Sequence, residues 1–348
     1  MRPDAAHPGV APPEPRPYRI GVNALALLVA LAAASPDRIY VSNEGSGDLS
    51  VIDAVRDEVV ATVSLGLRPR GIRVDGRGRI FVALSGSPRQ PPGVSPDSLP
   101  AADRSADGIA IVDPRTLRVV SVLPSGQDPE SFDLVPGGRL VVSNEETASA
   151  SVVDVASARI LATVAVGEEP EGVATAPGGR IVAVSAEESH RVELLDPAAA
   201  RVLASVPTCR RPRGVLFSPD GKLAFAACEN EAAVQVIDVP GRRAAERIAL
   251  PEGSLPMGLA ISRDGARLWV SNGRARTVSA IDVRSRKVIA TARDVGARCW
   301  GITLGPDGKK LYVANGPSDD VTVLDARTLA VKKRIKVGAL PWGVAASR

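Results

Sequence analysis

The chain has 348 residues, 45% of them hydrophobic but only 3% aromatic, and its 32 Gly and 29 Pro suit many short strands joined by tight turns. The formal net charge of +4 is scattered, with no Lys/Arg-rich run, which argues against nucleic-acid binding. Two histidines, no Cys-x-x-Cys-His and no phosphate-binding glycine loop exclude His-rich copper or zinc sites, covalent c-type haem and P-loop chemistry.

In chain order, residues 1–34 come first and read as a Pro-rich leader plus signal peptide. Arg16 and Arg19 precede an apolar run from Ile20 to Leu31, and Ala32-Ala33-Ala34 offers small residues for cleavage before Ser35. The run falls short of the roughly 20 residues that span a bilayer. Cleavage is therefore the expectation, with a retained anchor as the alternative. The mature chain, residues 35–348, would be periplasmic or secreted, with no membrane span, and monomeric.

From Arg38 onward three features recur in fixed order. A strand such as Tyr40-Val41-Ser42-Asn43 is followed by an apolar triplet ending in Asp. Those aspartates are Asp53, Asp113, Asp154, Asp196, Asp238, Asp282 and Asp325, spaced 60, 41, 42, 42, 44 and 43 residues apart. A Pro-x-Gly-like element then follows, from Pro69-Arg70-Gly71 to Pro341-Trp342-Gly343. A period near 42 residues, repeated seven times, is the size of a propeller blade. The predicted fold is all-β: a seven-bladed β-propeller of four-stranded blades. Pro-x-Gly opens the inner strand A, the Tyr-Val-Ser-Asn type is strand B, strand C ends in Asp, and a Val/Ala/Thr-rich run is strand D. The chain opens on strand B and ends on strand A, so the C-terminal strand should join the first blade and close the ring. Blade 2 carries an insertion at about residues 85–107, open to reading as a tolerated surface loop or as a functional one.

The Asp at the end of each strand C is expected to cap its own turn, not to bind a metal, because all seven blades have it. The middle residues of the Pro-x-Gly elements differ from blade to blade, so the repeat does not dictate them. They should crowd one end of the channel. Arg70, Glu130, Glu171, Arg213, Trp300 and Trp342 are the candidate ligand-binding residues there, acidic on blades 3 and 4 and aromatic across blades 7 and 1. Residues around the end of strand B should approach the same mouth, and Glu44, Asn144, Glu145, Glu187 and Glu229 are candidate ligands for a cation such as calcium. Pairing strands A and B of blade 5 sets residue 212 opposite 228 and makes Cys209–Cys228 a candidate disulfide. No catalytic residue stands out; His190, in a B–C loop, reads as an exposed polar residue.

Leu311-Tyr312-Val313-Ala314-Asn315 and Val321-Thr322-Val323-Leu324-Asp325 resemble the β-propeller family named for its Tyr-Val-Thr-Asn (YVTN) repeat, over residues 38–348. Tyr40 to Asp48, Ala83 to Pro88, Arg104 to Gly108 and Ser125 to Glu130 are similar to a subfamily associated with pyrroloquinoline quinone (PQQ)-dependent catabolism. That resemblance implies genomic company with quinoprotein alcohol dehydrogenases, c-type cytochromes and an ABC transporter, and it carries no catalytic residue. The expected function is a non-enzymatic binding or accessory protein of quinoprotein alcohol oxidation. A quinoprotein dehydrogenase or c-type cytochrome would be its partner, and PQQ or calcium a possible ligand. The alternatives are a metal-dependent lactonase-like hydrolase, or a structural or surface-interaction protein.

Overall fold

Every strand B is apolar along nearly its whole length because its sheet is covered on both faces. In the computed structural model, which describes residues 37–89, 94–95 and 98–347, the strands Arg38–Asn43, Ile80–Leu84, Arg139–Asn144 and Leu223–Cys228 are buried from their second residue onward or throughout. The leader and residues 90–93 and 96–97 of the blade 2 insertion lie outside the described residues.

Among the described residues twenty-eight strands form seven antiparallel sheets of four. Blades 2 to 7 are sequential, with outer strands such as β7 (Arg118–Leu123) and β11 (Arg159–Ala165) exposed to solvent. Blade 1 combines β1 (Arg38–Asn43), β2 (Asp48–Asp53) and β3 (Glu58–Ser64) with the last strand, β28 (Pro341–Ala346). Tyr40 faces Ala345 and Val41 faces Val344 across that seam, so the ring is closed by non-covalent pairing of β1 with β28.

Seven apolar clusters hold the ring, each lying between two neighbouring blades. Phe81, Ile109, Phe132 and Leu140 join blades 2 and 3; Ile39, Ile52, Tyr312 and Val323 join blades 7 and 1. At that last junction the Tyr312 hydroxyl donates to Ala54 O (3.1 Å) and Asp57 Oδ1 (2.7 Å), and Lys310 Nζ reaches Asp57 Oδ2 at 2.7 Å. The seven strand C aspartates cap turns: Asp113 Oδ1 accepts from Arg115 N, Thr116 N and Thr116 Oγ1, and Asp325 Oδ1 accepts from Arg327 N, Thr328 N and Thr328 Oγ1. Backbone donors from Arg56 lead in pulling Asp53 down to about 2, where it stays ionised as the acceptor. Among the described residues no helix is long and apolar enough to cross a membrane.

Candidate functional site

One local device, repeated around the ring, aims side chains at the channel axis. In blade 3, Pro129 faces Asn144 while Phe132 faces Val142, so Glu130 and Ser131 together oppose Ser143. The same slip occurs in blades 4, 5 and 7, at Glu171, Arg213 and Trp300, and a one-residue version in blade 1 at Trp342. A bulge frees its residue from the ladder and re-aims the side chain. The residue preceding six of the seven elements adds a second twist. Arg68, Asp128, Glu169, Arg211, Arg298 and Leu340 all have φ between 40° and 62°, a region that costs a non-glycine residue energy.

The glycine of Pro-x-Gly is set by close approach of the next blade. A Cβ on Gly172, Gly258 or Gly343 would sit 2.6, 2.5 or 2.6 Å from the carbonyl oxygen of Arg213, Trp300 or Arg70. Strand B serines clamp the same carbonyls: Ser42 Oγ donates to Arg70 O, Ser185 Oγ to Arg213 O and Ser271 Oγ to Trp300 O. The mouth residues thus stand on a backbone fixed from both sides.

Blades 3 to 5 form an acidic crescent. Arg70, 2% exposed, pairs with Glu130 and Asp128 and reaches Glu145 at 3.3 Å. Burial works to lower the Arg70 pKa, but Glu130, Asp128 and Glu145 outweigh it and hold the guanidinium above its ordinary value. Burial also works to raise Asp128, yet Arg70 and the Ser85 hydroxyl hold it below the usual carboxylate range. One cation does not satisfy three carboxylates. Burial pushes Glu130 up to about 8 in spite of Arg70, helped by the Glu145 charge. In blades 4 and 5, Arg213 pairs with Glu171 and Glu187 and lies 3.4 Å from Glu229, while Arg211 reaches Glu187 at 2.8 Å and Glu229 at 3.5 Å. Burial, with the Glu145 and Glu188 charges, also raises Glu169.

The other arc is aromatic and basic. Trp300 and Trp342 touch, with ring centroids 5.6 Å apart and planes tilted by 36°. The Arg298 guanidinium lies 4.2 Å from the Trp300 centroid and that of Arg213 5.3 Å. Burial first, then the like charges of Arg213 and Arg274, pulls Arg298 below its ordinary pKa. Both arcs line one cavity of about 580 Å³, whose wall also includes Arg68, Arg89 and Arg274.

All six candidate ligand-binding residues therefore border one cavity, but its two candidate cations are spoken for: Arg70 neutralises Asp128 and Arg213 neutralises Glu187. Met257, of blade 6, lines the narrower channel with Glu171 and both indoles. Of the candidate cation ligands, Asn144 is not at the mouth. It is fully buried, its Nδ2 donates to Ser149 Oγ and Ser151 Oγ, and its Oδ1 accepts from Gly126 N. Asn43, Asn272 and Asn315 donate to the same two strand C positions of their own blades, so this Asn is a property of the repeat. Glu44 is held by Arg68 at 2.9 Å, Glu145 and Glu187 by Arg70 and Arg213, and Glu229 lies between Arg211 and Arg213. Among the described residues no three His, Cys, Asp or Glu side chains converge to hold an ion. These carboxylates are tied into an ion-pair network with Arg68, Arg70, Arg211 and Arg213.

Cys209 and Cys228 are joined by a disulfide, with Cα atoms 5.6 Å apart, and Pro212 faces Cys228 in the register. Cys299 is free and buried. His190 is exposed at φ 55° in the blade 4 B–C turn. The sequence reading missed Arg89, Arg274 and Arg298, which make no hydrogen bond or ion pair among the described residues. Arg298 had a signal: the position before Pro-x-Gly is charged in five blades, at Arg68, Asp128, Glu169, Arg211 and Arg298.

No family profile and no curated protein matches the chain. Solved structures do. The chain is similar to Kuenenia stuttgartiensis hydrazine synthase at 20% identity, over 83% of this chain and 92% of that one, with a TM-score of 0.70. It resembles a functionally unknown protein from Desulfotomaculum acetoxidans DSM 771 at 14% identity, over 90% and 99%, TM-score 0.73. A candidate 6-phosphogluconolactonase from Bacteroides fragilis NCTC 9343 matches at 16% identity, over 91% and 99%, TM-score 0.73. At such identities the likeness establishes the fold, and the fold is a seven-bladed β-propeller.

Proposed function

We propose that this propeller is a non-enzymatic binding protein that acts after export as an accessory of quinoprotein alcohol oxidation, and that its mouth holds a flat anion such as PQQ. The observation that carries the reading is the contact of Trp300 with Trp342 beside Arg298, a half-buried guanidinium without a carboxylate in ion-pair contact among the described residues. Indole faces take a conjugated ring, and a guanidinium takes a carboxylate with two parallel hydrogen bonds. The YVTN-type repeat and the resemblance to the PQQ-associated subfamily give the quinone its place in the reading. Titration with PQQ, followed by tryptophan fluorescence, should quench Trp300 and Trp342. The double variant Trp300→Ala/Trp342→Ala should lose the response while keeping the circular dichroism of the folded chain. Absence of quenching in the wild type would count against the quinone, and so would a pull-down that enriches no quinoprotein or cytochrome subunit.

A hydrolase is the second reading, favoured by one observation: burial brings the Glu130 carboxyl to about 8, the range of a general acid or base at neutral pH. Turnover of 6-phosphogluconolactone or simple lactones by the wild type, lost in Glu130→Gln, would establish it; no turnover would remove it.

A further inference from the structure

We infer that the mouth selects its ligand by charge count: Arg89, Arg274 and Arg298 form a three-point cradle for a planar molecule bearing three carboxylates. The inference rests on the anion-binding reading above and narrows it to a ligand class.

Among the described residues seven arginines line this cavity, and they divide cleanly. Arg68, Arg70, Arg211 and Arg213 each engage a carboxylate. Arg89, Arg274 and Arg298 engage none among the described residues. The unpaired three come from separate parts of the fold: the first stem of the blade 2 insertion, the B–C turn of blade 6, and the twist before strand A of blade 7. All three lie on or beside the arc that carries the indoles, and none on blades 3 to 5.

The stem that carries Arg89 is fastened to the rim. Arg68, braced by Glu44, donates to Ser87 O at 2.9 Å; Ser87 N donates to Ser85 Oγ at 3.0 Å; Arg104 Nη1 donates to Ser87 Oγ at 2.9 Å. Arg89 follows two residues later and borders the cavity. Arg298 makes no ion pair among the described residues, and burial with the like charges of Arg213 and Arg274 outweighs the pull of Glu229 and Glu44, an arrangement that a bound anion relieves. The acidic crescent repels anions from blades 3 to 5 and so confines them to the basic arc.

The indoles set the shape of the ligand. Their centroids are 5.6 Å apart, too close for a third ring between them, so a ligand ring must stack on an outward face. A cavity of about 580 Å³ lies within the range that encloses a small ligand.

The test uses two triacids and their uncharged trimethyl esters: PQQ, and benzene-1,3,5-tricarboxylate. Binding to the wild type and to Arg89→Ala and Arg298→Ala is measured by calorimetry. Arg89 is exposed, so its removal should leave the melting temperature unchanged. The expected result is that at least one triacid binds, that its ester binds at least about tenfold more weakly, and that each Arg variant loses about tenfold for the triacid. Benzoate, the single-carboxylate control, should bind Arg89→Ala and wild type within about twofold. Binding of the benzene triacid but not PQQ would uphold the charge-counting cradle and sink the quinone reading. Equal affinity for acid and ester, an Arg89→Ala variant that binds the triacid like wild type, or no binding by either triacid would overturn the cradle.

Discussion

Glu130→Gln is the sharpest probe of the acidic crescent. The Glu130 carboxyl shares one guanidinium with Asp128 and Glu145, and burial lifts it to about 8. A carboxyl raised above its ordinary 4.5 keeps in the folded state a proton that the unfolded chain has released. Its contribution to stability is fully present below about pH 4.5 and is lost as pH rises toward about 8. Each pH unit in that window costs about 1.4 kcal/mol, so the wild type should lose about 3 kcal/mol between about pH 5.5 and 7.5 from this group alone. For a domain of roughly 310 residues that corresponds to about 4 °C in melting temperature. Gln keeps the shape and an acceptor for Arg70 but has no proton to lose. The melting temperature of the variant relative to the wild type should therefore rise by about 4 °C between about pH 5.5 and 7.5. Thermal unfolding by circular dichroism across that range reads the difference. Parallel curves, or a variant weakened more at pH 7.5 than at 5.5, would show that Glu130 is ionised and that Arg70 satisfies it, refuting the reasoning.

Gly258→Ala should destabilise by at least about 1–3 kcal/mol in urea unfolding, because its Cβ would meet Trp300 O at 2.5 Å and force blades 6 and 7 apart. Ser185→Ala should cost about 1–2 kcal/mol by the same assay, since its hydroxyl accepts from Gly172 N at 2.8 Å and donates to Arg213 O, and both backbone groups are left buried. Cys228→Ser, or reduction of the native chain, should lower stability by about 3 kcal/mol, the loop-closure value for a bridge separated by 19 residues. An unchanged melting temperature with and without reductant would show that the bridge contributes nothing.

What the sequence determined by itself was the repeat and everything that follows from repetition. A 42-residue period, a chain that opens on strand B and a chain that ends on strand A leave ring closure as the way to pair β1 (Arg38–Asn43), and β28 (Pro341–Ala346) does so. Repetition also separated structural from individual residues: the turn aspartates recur in all seven blades and cap turns. The same test, applied to the Asn that ends strand B in four blades, would have kept Asn144 out of the mouth. The bordering of one cavity by Trp300, Trp342, Arg70 and Glu130 was legible because strand position fixes distance from the axis. Only the tertiary structure decided which charges are free. Pairing depends on the reach of side chains from different blades, such as Arg70 on blade 2 meeting Asp128 and Glu145 on blade 3, and no spacing along the chain encodes it. Arg70 and Arg213 look like ligand-binding cations in the sequence and are consumed by carboxylates in the fold. Arg89, Arg274 and Arg298 look like ordinary surface charges and border the cavity that the indoles line, because the insertion stem, a B–C turn and a left-handed residue deliver them there.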